Sequence, residues 1–291
     1  MFEKNNFKAY IESSKPKVVA LMIFTSFIGM LLANPLALNF EVLIIGNLGI
    51  ALMSLSAGSI NQLLDQKIDS IMLRTKKRPL VMGVLAPKNV VIYAVVLALI
   101  GFLLLYFLIN TLTAWLTFAS LVGYAFIYTL YLKRRTPQNI VIGGAAGATP
   151  PLLGWTAMTG QVDSIAIILF LIIFFWTPPH FWALAVYKQE DYSKANIPML
   201  PVTHGADFTR LHIFLYSILL FCITLFPYLL GLVSYIYLLS IIFLGGKFIF
   251  DSYQLYITKN ERKAFELFKY SISYLALLFA ALLADHYVLM L

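Results

Sequence analysis

The sequence predicts an all-α membrane protein that crosses the bilayer nine times. Of its 291 residues, 61% are hydrophobic and only 12% charged, with a mean hydropathy of +0.86; an ordinary soluble domain carries roughly 25% charged residues. The apolar residues gather into nine runs, each suited to a hydrocarbon core that takes about 20 helical residues to cross. All 21 Lys and Arg fall beside alternate connections between those runs, as expected if those connections are cytoplasmic.

The first run, 18–34, follows a polar stretch with Lys4, Lys8, Lys15 and Lys17. That stretch has neither a short apolar core with a small-residue cleavage site nor an Arg- and Ser-rich amphipathic presequence, so no cleaved leader is expected. The second run, 42–63, leads into 64–89, which holds Lys67, Arg74, Lys76, Lys77, Arg78 and Lys88. Runs 90–109 and 113–132 form a hairpin closed by the uncharged 110–112 and followed by Lys133, Arg134 and Arg135. The fifth run, 139–160, contains GGAAGATPPLLG. Its small residues permit close helix approach, and Pro150 and Pro151 should break or kink it. The sixth, 165–186, is aromatic and precedes 187–210, with Lys188, Lys194 and Arg210. The seventh and eighth, 211–231 and 234–256, meet near Pro227 and Gly231, and the ninth, 271–290, follows the basic region 247–269.

The outer connections near 35–41, 110–112, 161–164 and 232–233 hold no Lys or Arg. The amino terminus is therefore expected in the cytoplasm and the carboxyl terminus outside. The longest hydrophilic stretches are loops of about 25 residues, too short for a soluble domain, so residues 1–291 read as one membrane domain. The net charge of +8 follows from the same asymmetry. Anionic lipid head groups of the bilayer are sufficient partners for it, and no nucleic acid is implied.

At the end of the second run stands NQLLDQKIDSIMLRTKKRP, with Asn61, Asp65 and Asp69 at four-residue intervals. On a helix these three drift only about 40° per step and line one stripe. Carboxylates at membrane depth are costly unless paired or facing a wet cavity. Their oxygens suit Mg²⁺, which is commonly held by one or two carboxylates together with substrate phosphates. Arg74 and Arg78 supply bidentate donors for phosphate. The alternative is an ordinary solvated helix end in which the acids pair with Lys67, Arg74 or Lys76. The loop YKQEDYSKANIPMLP favours the first reading, because it again sets Glu190 and Asp191 beside Lys188 and Lys194. Two such clusters on one face can converge on one metal-bridged diphosphate.

NQLLDQKID resembles the first Asp-rich motif, N-x-x-x-D-x-x-x-D, of the UbiA superfamily of intramembrane prenyltransferases. DSIMLRTKKRPL, LKRRTPQNIVIGGAAGATPPLLGW, WTPPHFWALA and DYSKANIPMLP together resemble its heme-farnesylating branch, over about Lys15 to His204. The resemblance implies nine helices around a central cavity in a bacterial cytoplasmic (inner) membrane. It also implies two Mg²⁺ ions and farnesyl diphosphate beneath cytoplasmic caps. Departure of diphosphate would leave an allylic cation, which a vinyl group of heme B captures and water quenches, giving heme O; a heme A synthase is the partner it suggests.

Carried over position by position, the resemblance makes Asn61, Asp65, Asp69 and Asp191 catalytic metal ligands. The superfamily's second motif has a further Asp where this chain has Ala195, leaving Glu190 or a backbone carbonyl as substitutes. Asn196 replaces the Gly usual before IPMLP and can adopt the same left-handed conformation. Arg74, Arg78, Lys133, Arg134, Lys188 and Lys194 are the expected diphosphate ligands; Lys133 and Arg134 read equally well as positive-inside anchors. His180, behind Pro178 and Pro179, is either a heme contact, through iron or a propionate, or a partner for a carbonyl that the prolines free. Tyr124, Tyr128, Tyr131, Phe174, Phe175, Trp176, Phe181 and Trp182 are candidates for an aromatic wall that excludes water and steadies a cation. The alternatives are an aromatic quinone precursor as acceptor, or a secondary transporter. Transport fits poorly, because the acids cluster at cytoplasmic helix ends and not at the midplane.

Overall fold

The computed structural model describes residues 2–33 and 39–289, without the side chains of 2–6. Most of the expected outer connection 35–41, and the Lys4 side chain, lie outside the described residues.

Every described regular element is helical. The chain runs through α1 (Phe2–Ser13), α2 (Pro16–Ala33), α3 (Phe40–Leu64), α4 (Gln66–Ile71), α5 (Pro87–Leu108) and α6 (Thr111–Val122). A π-helix (Gly123–Leu132) passes directly into the short α7 (Lys133–Arg135). Then follow α8 (Asn139–Ala148), α9 (Pro150–Thr159), α10 (Ser164–Tyr187), α11 (Gln189–Lys194), α12 (Leu200–Thr203), α13 (Ala206–Leu229), α14 (Tyr235–Thr258) and α15 (Glu261–Val288). Among the described residues eight helices are long and apolar enough to span a membrane. The remaining predicted run, 139–160, is divided into α8 and α9, each of ten residues. The division falls where Pro150 and Pro151 remove backbone donors. Pro178 and Pro179, by contrast, sit inside a continuous α10.

Two helices differ from the sequence expectation. α15 begins at Glu261, ten residues before the predicted 271, and its polar first turns carry an Arg262–Glu266 ion pair at 3.3 Å. Lys247, placed by sequence in a loop region, lies within α14. Its ammonium reaches Asp251 one turn onward at 2.5 Å and lies over the Tyr270 ring, so a long apolar stem carries the charge along the helix.

Small residues set the tightest crossing. A Cβ on Gly29 of α2 would lie 2.2 Å from the Pro151 carbonyl oxygen of α9, and one on Gly154 of α9 would lie 2.0 Å from the Ser26 carbonyl oxygen. The two backbones therefore touch, which no side chain at either position permits. α3 packs along α5, α10 along α8, α13 and α15, and α14 between α13 and α15. α15 returns to α2, closing the bundle.

Candidate active site

The α3 helix ends at Leu64, and Asp65 adopts φ −90°, ψ 3° before α4 begins. Helical hydrogen bonding nevertheless continues through this corner, with Asp65 N–H to Asn61 O at 3.0 Å and Asp69 N–H to Asp65 O at 2.8 Å. Asn61, Asp65 and Asp69 thus keep a common side despite the break. All three are buried, with 3%, 1% and 2% of their surface exposed.

Each meets a cation. Lys133 Nζ donates to Asp65 Oδ2 at 2.6 Å, and an Arg78 guanidinium nitrogen donates to Asp69 Oδ2 at 2.5 Å. Lys15 Nζ donates to Asn61 Oδ1, and to the Tyr124 hydroxyl at 2.9 Å. The Asn61 amide in turn donates to Asp65 Oδ2 at 3.0 Å and to Thr129 Oγ1 at 2.9 Å.

The π-helix explains why Tyr124, Tyr128, Thr129 and Lys133 reach the same place. Lys133 N–H bonds the Tyr128 carbonyl five residues back, and Thr129 Oγ1 donates to Tyr124 O at 2.9 Å. The wider turn shifts which side chains share a face, a feature common at functional sites. Tyr124 and Tyr128 stack with centroids 5.6 Å apart.

These groups surround a cavity of ≈ 60 Å³, closed by Phe181 from α10 and by Tyr192 and Met199 from the second loop. Arg74 also lines it and lies beside the Tyr192 hydroxyl. Burial raises the pKa of that hydroxyl and the Arg74 guanidinium opposes the rise, so the phenol is a neutral donor at pH 7. Lys15, Arg74, Arg78 and Lys133 give the lining four cations against the two carboxylates of Asp65 and Asp69. Such an excess of positive charge in a confined space attracts a polyanion.

The second loop contributes less than its charges suggested. Asp191 is buried, with 6% of its surface exposed, and its Oδ2 has no partner among the described residues. It adjoins the cavity-lining Tyr192 but does not itself line that space. Glu190 and Lys194 form an exposed pair at 3.5 Å, and Lys188 lies over the Tyr187 ring, 4.8 Å from its centroid. Arg134 donates to the Leu64 carbonyl at 3.0 Å and faces a separate groove with Lys67 and Asn196. Of the six basic residues expected around an anion, the structure gathers Arg74, Arg78 and Lys133 and places Arg134, Lys188 and Lys194 elsewhere. Glu190 is exposed and paired with Lys194, away from the buried Ala195. Asn196 takes the left-handed conformation expected of it, φ 51°.

Lys15 is the site residue that sequence reasoning missed. It was counted only as a positive-inside residue, and its spacing from the Asp-rich motif gives no signal. Its backbone turns at φ 57° before Pro16, where the residue preceding proline is restricted. The corner is pinned one turn before Asn61: Ser14 Oγ lies 2.9 Å from Ser59 Oγ, and a Cβ at Gly58 would lie 2.6 Å from the Ser14 carbonyl oxygen. A costly conformation at a non-glycine residue is thus maintained, and it aims a cation inward. Among the aromatic candidates, Tyr124, Tyr128 and Phe181 line the cavity. Tyr131 is exposed and stacks under Arg135, and Trp182 lies in the apolar core. His180 bonds a side chain, Ser271 Oγ at 2.6 Å, and no carbonyl freed by the prolines.

No group of three or more His, Cys, Asp or Glu side chains suited to a metal occurs among the described residues. Two buried carboxylate oxygens nevertheless lack partners, Asp65 Oδ1 and Asp191 Oδ2. An uncompensated buried carboxylate oxygen is costly, and hard oxygen donors in ones and twos match a divalent cation that completes its shell with phosphate.

Comparisons with known proteins give the family and the fold. The profile of the UbiA prenyltransferase family matches residues 22–283. A protoheme IX farnesyltransferase of Marinobacter nauticus is 55% identical over 283 residues, 97% of this chain and 94% of that protein. One from Hahella chejuensis is 53% identical, covering 96% of this chain and 93% of its own. Among solved structures, that of a digeranylgeranylglyceryl phosphate synthase superposes with a TM-score of 0.81 at 19% identity, over 97% of this chain and 99% of that one. A UbiA homolog from Archaeoglobus fulgidus bound to DMAPP and Mg²⁺ superposes with a TM-score of 0.63 at 18% identity, over 96% and 99%.

Proposed function

This chain belongs to the UbiA prenyltransferase family, and on that premise we propose that it transfers the farnesyl group of farnesyl diphosphate to a vinyl carbon of heme B. Water adds to the product, giving heme O, and diphosphate is released. The observation that carries the prenyl-diphosphate half is the convergence of Lys15, Arg78 and Lys133 on the Asn61, Asp65 and Asp69 oxygens in one buried cavity. The acceptor follows from near-full-length identity to proteins named for heme farnesylation. Membership of the family sets the transporter reading aside.

Ionising an allylic diphosphate requires the departing charge to be held. Lys15, Arg78 and Lys133 would bind the diphosphate oxygens by exchanging their carboxylate and amide partners for phosphate, and Arg74, beside the Tyr192 hydroxyl, would join them. Asn61, Asp65 and Asp69 would hold one divalent cation, Mg²⁺ by its preference for hard oxygens, and Asp191 would hold a second. Their unpartnered oxygens on separate elements support two ions. Such a cation would supply the charge neutralisation that a departing diphosphate needs. Tyr124, Tyr128 and Phe181 present ring surfaces that exclude bulk water and favour positive charge in the allyl group. The Lys and Arg of the loops support an orientation with this end of the bundle at the cytoplasmic face of a bacterial inner membrane and the amino terminus inside.

The test is product mass. Purified protein given farnesyl diphosphate, Mg²⁺ and heme B should yield heme with one hydroxylated farnesyl unit. Farnesylation of a phenolic acid and not of heme would overturn the acceptor.

A further inference from the structure

His180 is the one buried histidine among the described residues, with 9% of its surface accessible. Its ring lies between Trp176, at a centroid distance of 4.2 Å and 15° from parallel, and Phe268 of α15, at 4.7 Å and 25°. Both faces are therefore held. Its Nδ1 is 2.6 Å from Ser271 Oγ.

The serine settles the ring's proton. Ser271 Oγ is 2.6 Å from the Phe268 carbonyl oxygen, which can only accept, so the single hydroxyl proton points there. The hydroxyl oxygen must then accept from His180, which places the imidazole proton on Nδ1 and leaves Nε2 with a bare lone pair. Trp176 Nε1 donates to the Ser271 carbonyl at 2.8 Å, clamping the same turn of α15 a second time. A fixed ring with one N–H anchored and the other nitrogen bare is the arrangement of a metal-binding histidine. No hydrogen bond or ion pair joins the ring to a carboxylate among the described residues, so nothing there would hold the charge of a proton-relay imidazolium.

Its position suits the acceptor. Phe181, the next residue, lines the diphosphate cavity and meets His180 edge-on at 5.7 Å, so the imidazole packs behind one wall of that cavity without lining it. We propose that His180 Nε2 is an axial ligand to the iron of the acceptor heme, and that Ser271 is a positioning residue that fixes the tautomer. The proposal rests on the reading of this chain as a heme prenyltransferase. Iron coordination would anchor the porphyrin, so that the vinyl carbon and the allylic carbon meet in one orientation.

The test is hemin titration of the full-length protein in nanodiscs without prenyl diphosphate, followed by absorbance and electron paramagnetic resonance. Wild type should show an imidazole-ligated spectrum. His180→Gly should lose it and regain it with added imidazole, and His180→Met should shift it to a thioether-ligated form. Ser271→Ala should retain imidazole ligation with about tenfold weaker hemin binding. Retained binding of Mg²⁺ with farnesyl thiodiphosphate shows that each variant is folded. A His180→Gly or His180→Met spectrum matching wild type overturns the proposal, as does a wild type in which hemin produces no imidazole signature. If wild type still farnesylates heme in that case, the proposed function stands and only the ligand assignment fails; farnesylation of a phenolic acid alone would overturn the function itself.

Discussion

Lys133 Nζ sits 2.6 Å from Asp65 Oδ2 while Asp65 Oδ1, on the same buried carboxylate, has no partner. One oxygen is thus balanced by a resident cation, and the other is open to an incoming one.

Removing the lysine uncovers the buried charge. Lys133→Met leaves Asp65 without its ion pair, a loss of about 3–5 kcal/mol for a buried pair. The melting temperature in detergent should fall, and a second substitution, Asp65→Asn, should restore it without restoring activity.

Four cations against two carboxylates make the cavity repel a free metal ion. Mg²⁺ should bind weakly or not at all alone and at least tenfold more tightly with a non-hydrolysable prenyl diphosphate present. Calorimetry with and without the analogue measures this coupling, and equal affinity in both cases contradicts it.

Lys15 acts through a corner of the backbone as well as through its charge. Lys15→Met should raise KM for farnesyl diphosphate by roughly 10- to 150-fold, the scale of one charge-assisted contact at about 1.5–3 kcal/mol. Lys188→Ala and Lys194→Ala, at residues directed to Tyr187 and Glu190, should change it less than twofold.

The α2–α9 crossing has no room for a side chain. Gly29→Val or Gly154→Val would set a Cβ 2.2 or 2.0 Å from a facing carbonyl oxygen, so the two backbones must move apart. Folded yield should drop sharply for both, measured by the monodisperse fraction on size exclusion, while Gly246→Ala, with nothing within 4 Å of the added Cβ, should leave it unchanged.

The spanning helices were legible because the bilayer dictates the length of an apolar run. The break at Pro150 was legible for a covalent reason, the missing donor. Asn61, Asp65 and Asp69 were legible because period and burial coincide on one helix side. Arg134, Lys188 and Lys194 each meet a local partner away from the cavity, a direction that charge and spacing along the chain do not carry. The π-helix left no mark in composition, although its wider turn brings Lys133 and Tyr128 to one cavity. Lys15 escaped notice because its role depends on a left-handed corner 46 residues from Asn61.

The central claim is that buried carboxylates, and not the charged surface of the loops, hold the metal and its diphosphate. It is tested most directly by heme O formation at saturating farnesyl diphosphate and Mg²⁺ in Asp65→Ala, Asp191→Ala and Glu190→Ala proteins. Loss of activity by a factor of about 100 or more in the first two, with Glu190→Ala within twofold of wild type, is the expected result. Full activity in Asp65→Ala or Asp191→Ala, or loss only in Glu190→Ala, would contradict it.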